Sequence, residues 1–289
     1  MQQLIFVQAG GSRYDPQTSV CIHARPNAVY VINSPRGLGS VDTALQSAAA
    51  AGLNGEYLQG VQLTARTVSD TITVRGKNRK EMYAARMELI RICNPLRGVG
   101  TLIYSNDAGE WEIPAIASVY GEAAERYAKS ACKVSVAFKC PDPFWRETHQ
   151  TTLSLYIYKR GDPFPLQMPA TLRNVFSRTI AVNAGDETVR PIVTVTGPLL
   201  GLSIQNTTTG ACLNFPTLRL LAGETAEIDC QAQDSVKMRS DGTKQRVVPS
   251  SGFEYIDLPI GTSGIHTGVL WADEGATVTA RFAKLRAGV

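Results

Sequence analysis

The stretch GEWEIP at residues 109–114 places two carboxylates, Glu110 and Glu112, around a tryptophan. Two acidic side chains can share glycoside hydrolysis, one as acid and the other as nucleophile or base. Their spacing points elsewhere. Residues two apart on an alternating strand face the same side, opposite Trp111 and Ile113, so the pair reads as a solvated face. The histidines are His23, His149 and His266, and none lies in a motif that sets a base beside a serine or cysteine nucleophile. G-x-S-x-G, P-loop and HExxH patterns are absent. RGLGSVD at 36–42 lacks the third glycine of a dinucleotide fingerprint and has no parallel unit around it, so it reads as a flexible loop. The expectation is a chain with no catalytic, cofactor-binding or metal-binding residues, and so not an enzyme.

The six cysteines contain no C-x-x-C pair, which disfavours zinc. Cys132 and Cys140 lie eight residues apart on one strand, a span of roughly 26 Å, whereas a disulfide needs alpha carbons about 6 Å apart. All six read as small buried hydrophobes. NTT at 206–208 reads as a turn. The basic stretch KMRSDGTKQR at 237–246 could touch phosphates or acidic glycans, but reads more simply as a solvated hairpin tip.

Hydrophobic residues make up 44% and charged residues 19%, which places the chain among folded proteins. A net charge of +4, spread along the sequence, does not form the basic stripe of a nucleic-acid binder. No run approaches the roughly 18 apolar residues of a membrane span. The first residues, MQQLIFVQAGG, have no basic lead and read as a strand, pointing to synthesis and folding in a cytoplasm.

The elements that would position any site are mostly strands. In CKVSVAFKC, Cys132, Val134, Val136, Phe138 and Cys140 face one way and Lys133, Ser135, Ala137 and Lys139 the other, as on a half-buried antiparallel strand. Similar segments recur at 67–76, 101–105, 153–159, 191–197, 226–232 and 276–282, and NAGDE at 183–187 and SDGT at 240–243 are strong hairpin signals between strands. One helix is predicted over 78–93. Asn78 caps it with Glu81 three residues on, Asn94-Pro95 ends it, and Met82, Tyr83, Met87, Leu89, Ile90 and Cys93 form its apolar face. A weaker helix is predicted at 42–52, a helical turn or loop at 121–130, and a long ordered loop at 159–170. The chain divides near residue 149. Domain 1–149 carries the helix, and domain 150–289 holds only strands and turns. The fold class is mainly β, with two β-sandwiches, the first carrying one helix packed on a sheet.

The order of these features resembles the distal tail proteins of long, non-contractile-tailed bacteriophages. The motifs carrying the likeness are RTVSDTITVRG, AARMELIRICNP and GTLIYSND, then ACKVSVAFKCPDPFW, then VNAGDETVRPIVTVTG, LSIQNTTTGACLNF and ETAEIDC. They span roughly residues 65–235. The resemblance implies a ring-forming first domain and a galectin-like second domain. It implies a homo-hexameric ring that ends the tail tube and meets the tail-tube protein, the tape-measure protein, the central tip protein and, in many relatives, receptor-binding proteins. It places the chain in the virion at the tail tip, assembled in the bacterial cytoplasm, with no nucleic-acid sequence recognition, no membrane span and no cofactor. Within that picture, residues 33–60 are expected to wrap an adjacent subunit, and Phe144 and Trp145 to fill a seam where the chain leaves the first domain.

Two other readings remain open from the residues alone. A galectin-like domain could bind cell-wall sugar, with Trp271 and Tyr255 available as platforms, although no galectin-type cluster of His, Asn, Arg and Trp is present, and a shared fold does not carry function. A hydrolase would have to use Glu110 and Glu112.

Overall fold

The computed structural model describes residues 2–49, 52, 54–120, 130–159, 178–273 and 275–289. It is mainly β, with one α-helix and several sheets among the described residues. The chain divides into two compact units, residues 1–148 with 286–289, and residues 149–285. The segments 121–129 and 160–177, which include the expected helical turn at 121–130 and most of the loop at 159–170, lie outside the described residues.

The first unit is built from β1 (Gln3–Val7), β2 (Ser19–His23), β3 (Tyr30–Val31), β4 (Thr43–Ala49), β5 (Glu56–Leu63), β6 (Arg66–Arg75), α1 (Arg79–Ile92), β7 (Gly100–Asn106), β8 (Gly109–Tyr120), β9 (Ala131–Cys140) and β10 (Trp145–Glu147). The main sheet runs β10-β8-β7-β1-β2-β3-β6-β9. The first half of β8 pairs with β7 and its second half, Ile116–Tyr120, pairs with β9, so the sheet closes on itself. The layers of this unit are therefore one continuous sheet wrapped around a core, a device that removes free edges. Strict alternation produces it. On β9, Cys132, Val134, Val136, Phe138 and Cys140 are buried, and on β6, Val68, Ile72 and Val74 meet them in register. Phe6 packs on Phe138 with ring centroids 5.4 Å apart.

Helix α1 begins where its cap dictates. The Glu81 amide donates to Asn78 Oδ1 at 2.9 Å, while Glu81 Oε2 accepts from the Lys77 amide at 3.0 Å. Asn94 and Pro95 turn the chain into a short 3-10 segment. Met82, Leu89, Ile92 and Cys93 are buried and Tyr83 is half-buried. Met87 and Ile90, expected on the apolar face, are exposed, because the buried stripe runs along 82, 89, 92 and 93.

The weak helix expected at 42–52 is a strand. Strands β4 and β5 form a two-stranded hairpin paired from Thr43↔Leu63 to Ala49↔Glu56, and among the described residues join no other sheet. The alanines that favour a helix are overridden by cross-strand pairing. The loop expected to be flexible at 36–42 is tied down at its start. Arg36 and Ser69 exchange backbone hydrogen bonds of 2.8 and 3.1 Å. Gly37 has φ +83°, and a Cβ there would sit 2.1 Å from the Thr67 carbonyl oxygen, so only glycine fits.

The second unit packs two sheets face to face. Its strands are β11 (Thr151–Leu155), β12 (Ile157–Lys159), β13 (Thr179–Asn183), β14 (Ile192–Thr196), β15 (Leu199–Asn206), β16 (Cys212–Leu220), β17 (Thr225–Asp229), β18 (Asp234–Met238), β19 (Lys244–Arg246), β20 (Gly261–Val269), β21 (Trp271–Ala272) and β22 (Thr277–Phe282). One sheet runs β11-β22-β14-β17-β18-β19, the other β12-β20-β15-β16 with β13 on β20 and β21 on β15. Val193, Val195, Ile228, Val278 and Ala280 of the first meet Leu202, Ile204, Leu213, Phe215 and Ile265 of the second in one core. A last strand, β23 (Leu285–Arg286), pairs with β10 and returns the chain to the first unit.

Two buried asparagines explain the motifs of this unit. Asn183 Nδ2 donates to the carbonyls of Glu187 (2.8 Å) and Leu258 (2.9 Å), while its Oδ1 accepts from the Gly185 amide. Asn206 Nδ2 donates to the Asp257 carbonyl at 2.7 Å, and its Oδ1 accepts from the Thr208 amide. A short side chain carrying both donors and an acceptor can satisfy buried turn backbone in this way.

Candidate interaction surfaces

Arg13, Glu110, Lys237 and Glu224 are held in ion pairs, and the histidines are spread over both units. Arg13 makes a two-pronged ion pair with Glu110, Nη1 to Oε1 at 2.9 Å and Nη2 to Oε2 at 3.0 Å, and this raises the arginine pKa. Glu112 stands opposite Arg146 in the β8–β10 register. His23 belongs to the first unit, with its Nδ1 3.9 Å from Cys21 Sγ, while His149 and His266 belong to the second. All six cysteines are free thiols. Cys93, Cys132, Cys140 and Cys230 are buried and Cys21 and Cys212 half-buried. Burial pushes the Cys93, Cys140 and Cys230 thiols up to about 12, the opposite of what a nucleophile needs. Among the described residues no three His, Cys, Asp or Glu side chains gather as metal ligands, and no helix is long and apolar enough to cross a membrane. The basic segment 237–246 is a hairpin whose charges are partly matched, Lys237 to Glu224 at 2.7 Å and Arg246 to Asp234 at 3.3 Å.

What the molecule presents instead is apolar surface in defined places. On the β4–β5 hairpin Leu45 is 64% exposed, Leu58 62%, Tyr57 59% and Val61 57%. Leu45 and Val61 are direct cross-strand partners. An isolated two-stranded hairpin is marginal in water, and clustered apolar side chains on a soluble surface mark an interface. No spacing rule exposes this site in the sequence, because neither face of the hairpin is buried and so no alternation develops. On the second unit, the bare Cα positions of Gly201 and Gly268 help open a cleft of ≈ 360 Å³ on the outer face of the β20-β15-β16 sheet. Ser203, Asn214 and His266 line it with Pro216 and Leu270, and Trp271 is exposed at the end of the same strand run.

Trp145 is fully buried and packs with Tyr104 inside the first unit, ring centroids 6.2 Å apart, while Phe144 is half-buried. The tryptophan expected in a seam is therefore part of the first unit's own core.

Residues 30–140, from β3 through β9, match the phage tail protein RIFT-related domain family. The chain has the fold of a siphophage distal tail protein. The Dit protein of phage SPP1, described as a paradigm of the hub adsorption apparatus in phages that infect Gram-positive bacteria, superposes with a TM-score of 0.70 at 12% identity, covering 99% of each chain. A chain of the phage P2 baseplate in its activated conformation with calcium gives 0.55 at 11% identity, covering 97% of each. A p2 baseplate chain in the strontium form gives 0.54 at 11% identity, covering 98% of each. No curated protein matches the chain by sequence. The distal-tail fold thus extends over both units, while the sequence signal is concentrated in the first. The similarity is to phage tail and baseplate components: part of the first unit matches by sequence, and both units match by fold.

Proposed function

We propose that this chain is the distal tail protein of a long, non-contractile-tailed bacteriophage. Six copies form a ring that ends the tail tube and joins it to the tape-measure protein, the tip protein and receptor-binding proteins, after assembly in the host cytoplasm. The first unit is the ring-forming domain and the second a galectin-like outer domain. The protein works through surfaces and performs no catalysis. The observation carrying this reading is the β4–β5 hairpin, whose Leu45, Tyr57, Leu58 and Val61 stand exposed on an element that joins no other sheet among the described residues. A head-to-tail ring joins two different surfaces of each copy, and an apolar hairpin standing off the main sheet can supply one of them. Native mass spectrometry of the purified chain tests it. A closed six-fold species is expected, and a strictly solitary chain at high concentration overturns it.

A second reading adds to the first. The ≈ 360 Å³ cleft on the second unit falls in the size range of small-ligand sites. Its hydroxyl, amide and imidazole side chains beside Pro216 and Leu270 suit a neutral saccharide. Binding of the full chain to a glycan array, lost in Asn214→Ala, is the expected result, and an array with no binding removes this reading.

A further inference from the structure

Arg66 opens β6 and is 3% exposed, yet every hydrogen bond its guanidinium makes among the described residues goes to a backbone carbonyl. Nε donates to Pro143 at 3.0 Å. Nη1 faces Gly37, Leu38 and Gly39 at 2.8, 3.2 and 2.7 Å, two protons shared among three acceptors. Nη2 donates to Ala287. Burying a cation without a carboxylate is costly and survives only where hydrogen bonds surround it. The carbonyls it satisfies come from three places: the root of the β4–β5 hairpin, the proline-rich exit before β10, and the segment that follows the second unit in sequence. The fork of five donors is what lets one side chain reach all three, which a lysine cannot do.

Residues 286–289 also hold the hairpin root directly. The Val289 amide donates to the Leu38 carbonyl at 3.0 Å, and the Val289 and Leu38 side chains both pack on the first unit's core. Arg286 pairs with Glu147 at 3.2 Å, fixing the segment beside β10. The root of the hairpin is thus closed by residues nearly the whole sequence away.

We infer that Arg66 and residues 287–289 form a latch that fixes the root of the β4–β5 hairpin, so that the hairpin is set only once the chain has returned from the second unit. The idea rests on the hairpin serving as the ring arm. It makes arm placement depend on residues that follow the second unit in sequence, so that a protomer whose chain has not returned from that unit is kept from entering a ring.

Amide hydrogen exchange on the full chain tests this, with Arg66→Lys, a deletion of residues 287–289, and the two combined. Exchange of the Arg36, Thr64 and Ser69 amides, whose hydrogen bonds span the hairpin root, is expected to quicken at least ~tenfold in each variant, with residues 192–229 unchanged. The combined variant should be no faster than the larger single effect, as for parts of one device. Unchanged exchange of these three amides in the deletion overturns the latch. So does Arg66→Lys loosening β9 as much as these amides, which would make the arginine a general core residue. If Arg66→Lys fails to fold, the deletion and Val289→Pro, which removes the donor to Leu38, decide the matter. Native mass read in parallel separates the two claims. Quickened exchange in a chain that never forms rings defeats the ring reading and keeps the latch, whereas rings with unchanged exchange in the deletion defeat the latch alone.

Discussion

The ring of Trp145 lies against the guanidinium of Arg66, with 5.8 Å from Cζ to the ring centroid. This contact accounts for the bulky pair after the Pro-Asp-Pro break. Trp145 closes the first unit's core and offers an aromatic face to a cation that has no carboxylate partner among the described residues. Its neighbour Phe144 is only half-buried. Trp145→Ala is expected to lower stability by about 3–5 kcal/mol, and Phe144→Ala by less than ~2 kcal/mol. Urea unfolding followed by amide exchange in β6 and β9 measures both, and equal losses would contradict the assignment.

Asn183 makes the corresponding test in the second unit. Its Nδ2 serves two carbonyls, of Glu187 and Leu258, at a fully buried position. Asn183→Asp keeps the shape but turns an acceptor toward both. Each buried carbonyl left without a donor costs about 1–3 kcal/mol. The expected outcome is a second unit that unfolds at lower denaturant, with exchange in the first unit's β6–β9 ladder unaffected.

These residues also show what a sequence makes legible. The β9 alternation and the Asn78–Glu81 cap are local patterns whose partners lie a few residues away or one strand over, and each can be read from spacing alone. The turns at Asn183 and Asn206 are legible only in part: the hairpin expected at 183–187 joins strands of different sheets, and the two side chains reach the Leu258 and Asp257 carbonyls, which no spacing marks. Met87 and Ile90 could not be placed from spacing, since the sheet and not the helix chooses which stripe is buried. Arg66 and residues 286–289 carry no local mark, because their contacts are set only by the path of the whole chain. The hairpin at 43–63 was illegible for a different reason: a strand exposed on both faces has no periodicity, and an alanine run then favours a helix.

A pH dependence follows from Glu224. Its Oε2 lies 2.7 Å from Lys237 Nζ and accepts from the Leu221 amide at 2.8 Å. The Lys237 contact is the larger cause holding its carboxyl below the ordinary range. A folded-state pKa below the unfolded one means the unfolded chain binds more protons in acid. The stabilisation is therefore present above the ordinary glutamate pKa of about 4.3, and is lost as pH falls through the depressed folded value. Glu224→Gln should lower second-unit stability at pH 7 and flatten its acid limb, leaving stability near pH 2 close to that of the parent. Thermal melts across pH 2–7 check this, and a parallel drop at every pH would contradict it.

The hairpin makes the sharpest prediction about assembly. Leu45 and Val61 face each other across β4 and β5, and Leu58 lies further toward the tip. None of these side chains is buried in the protomer. Replacing Leu45 and Leu58 with aspartate removes no core contact, so the melting of the isolated protomer should shift by less than what a surface change brings, about 0.5 kcal/mol. If the hairpin seats on a neighbouring copy, the same two charges must be desolvated without partners, at a cost of several kcal/mol per contact. Ring formation should then fall by orders of magnitude at a protein concentration where the parent is fully assembled. Analytical ultracentrifugation and thermal melting of one preparation read both quantities. A double variant that still assembles like the parent would free the hairpin from any role between copies, and one that melts far below the parent would show that these leucines serve the protomer itself.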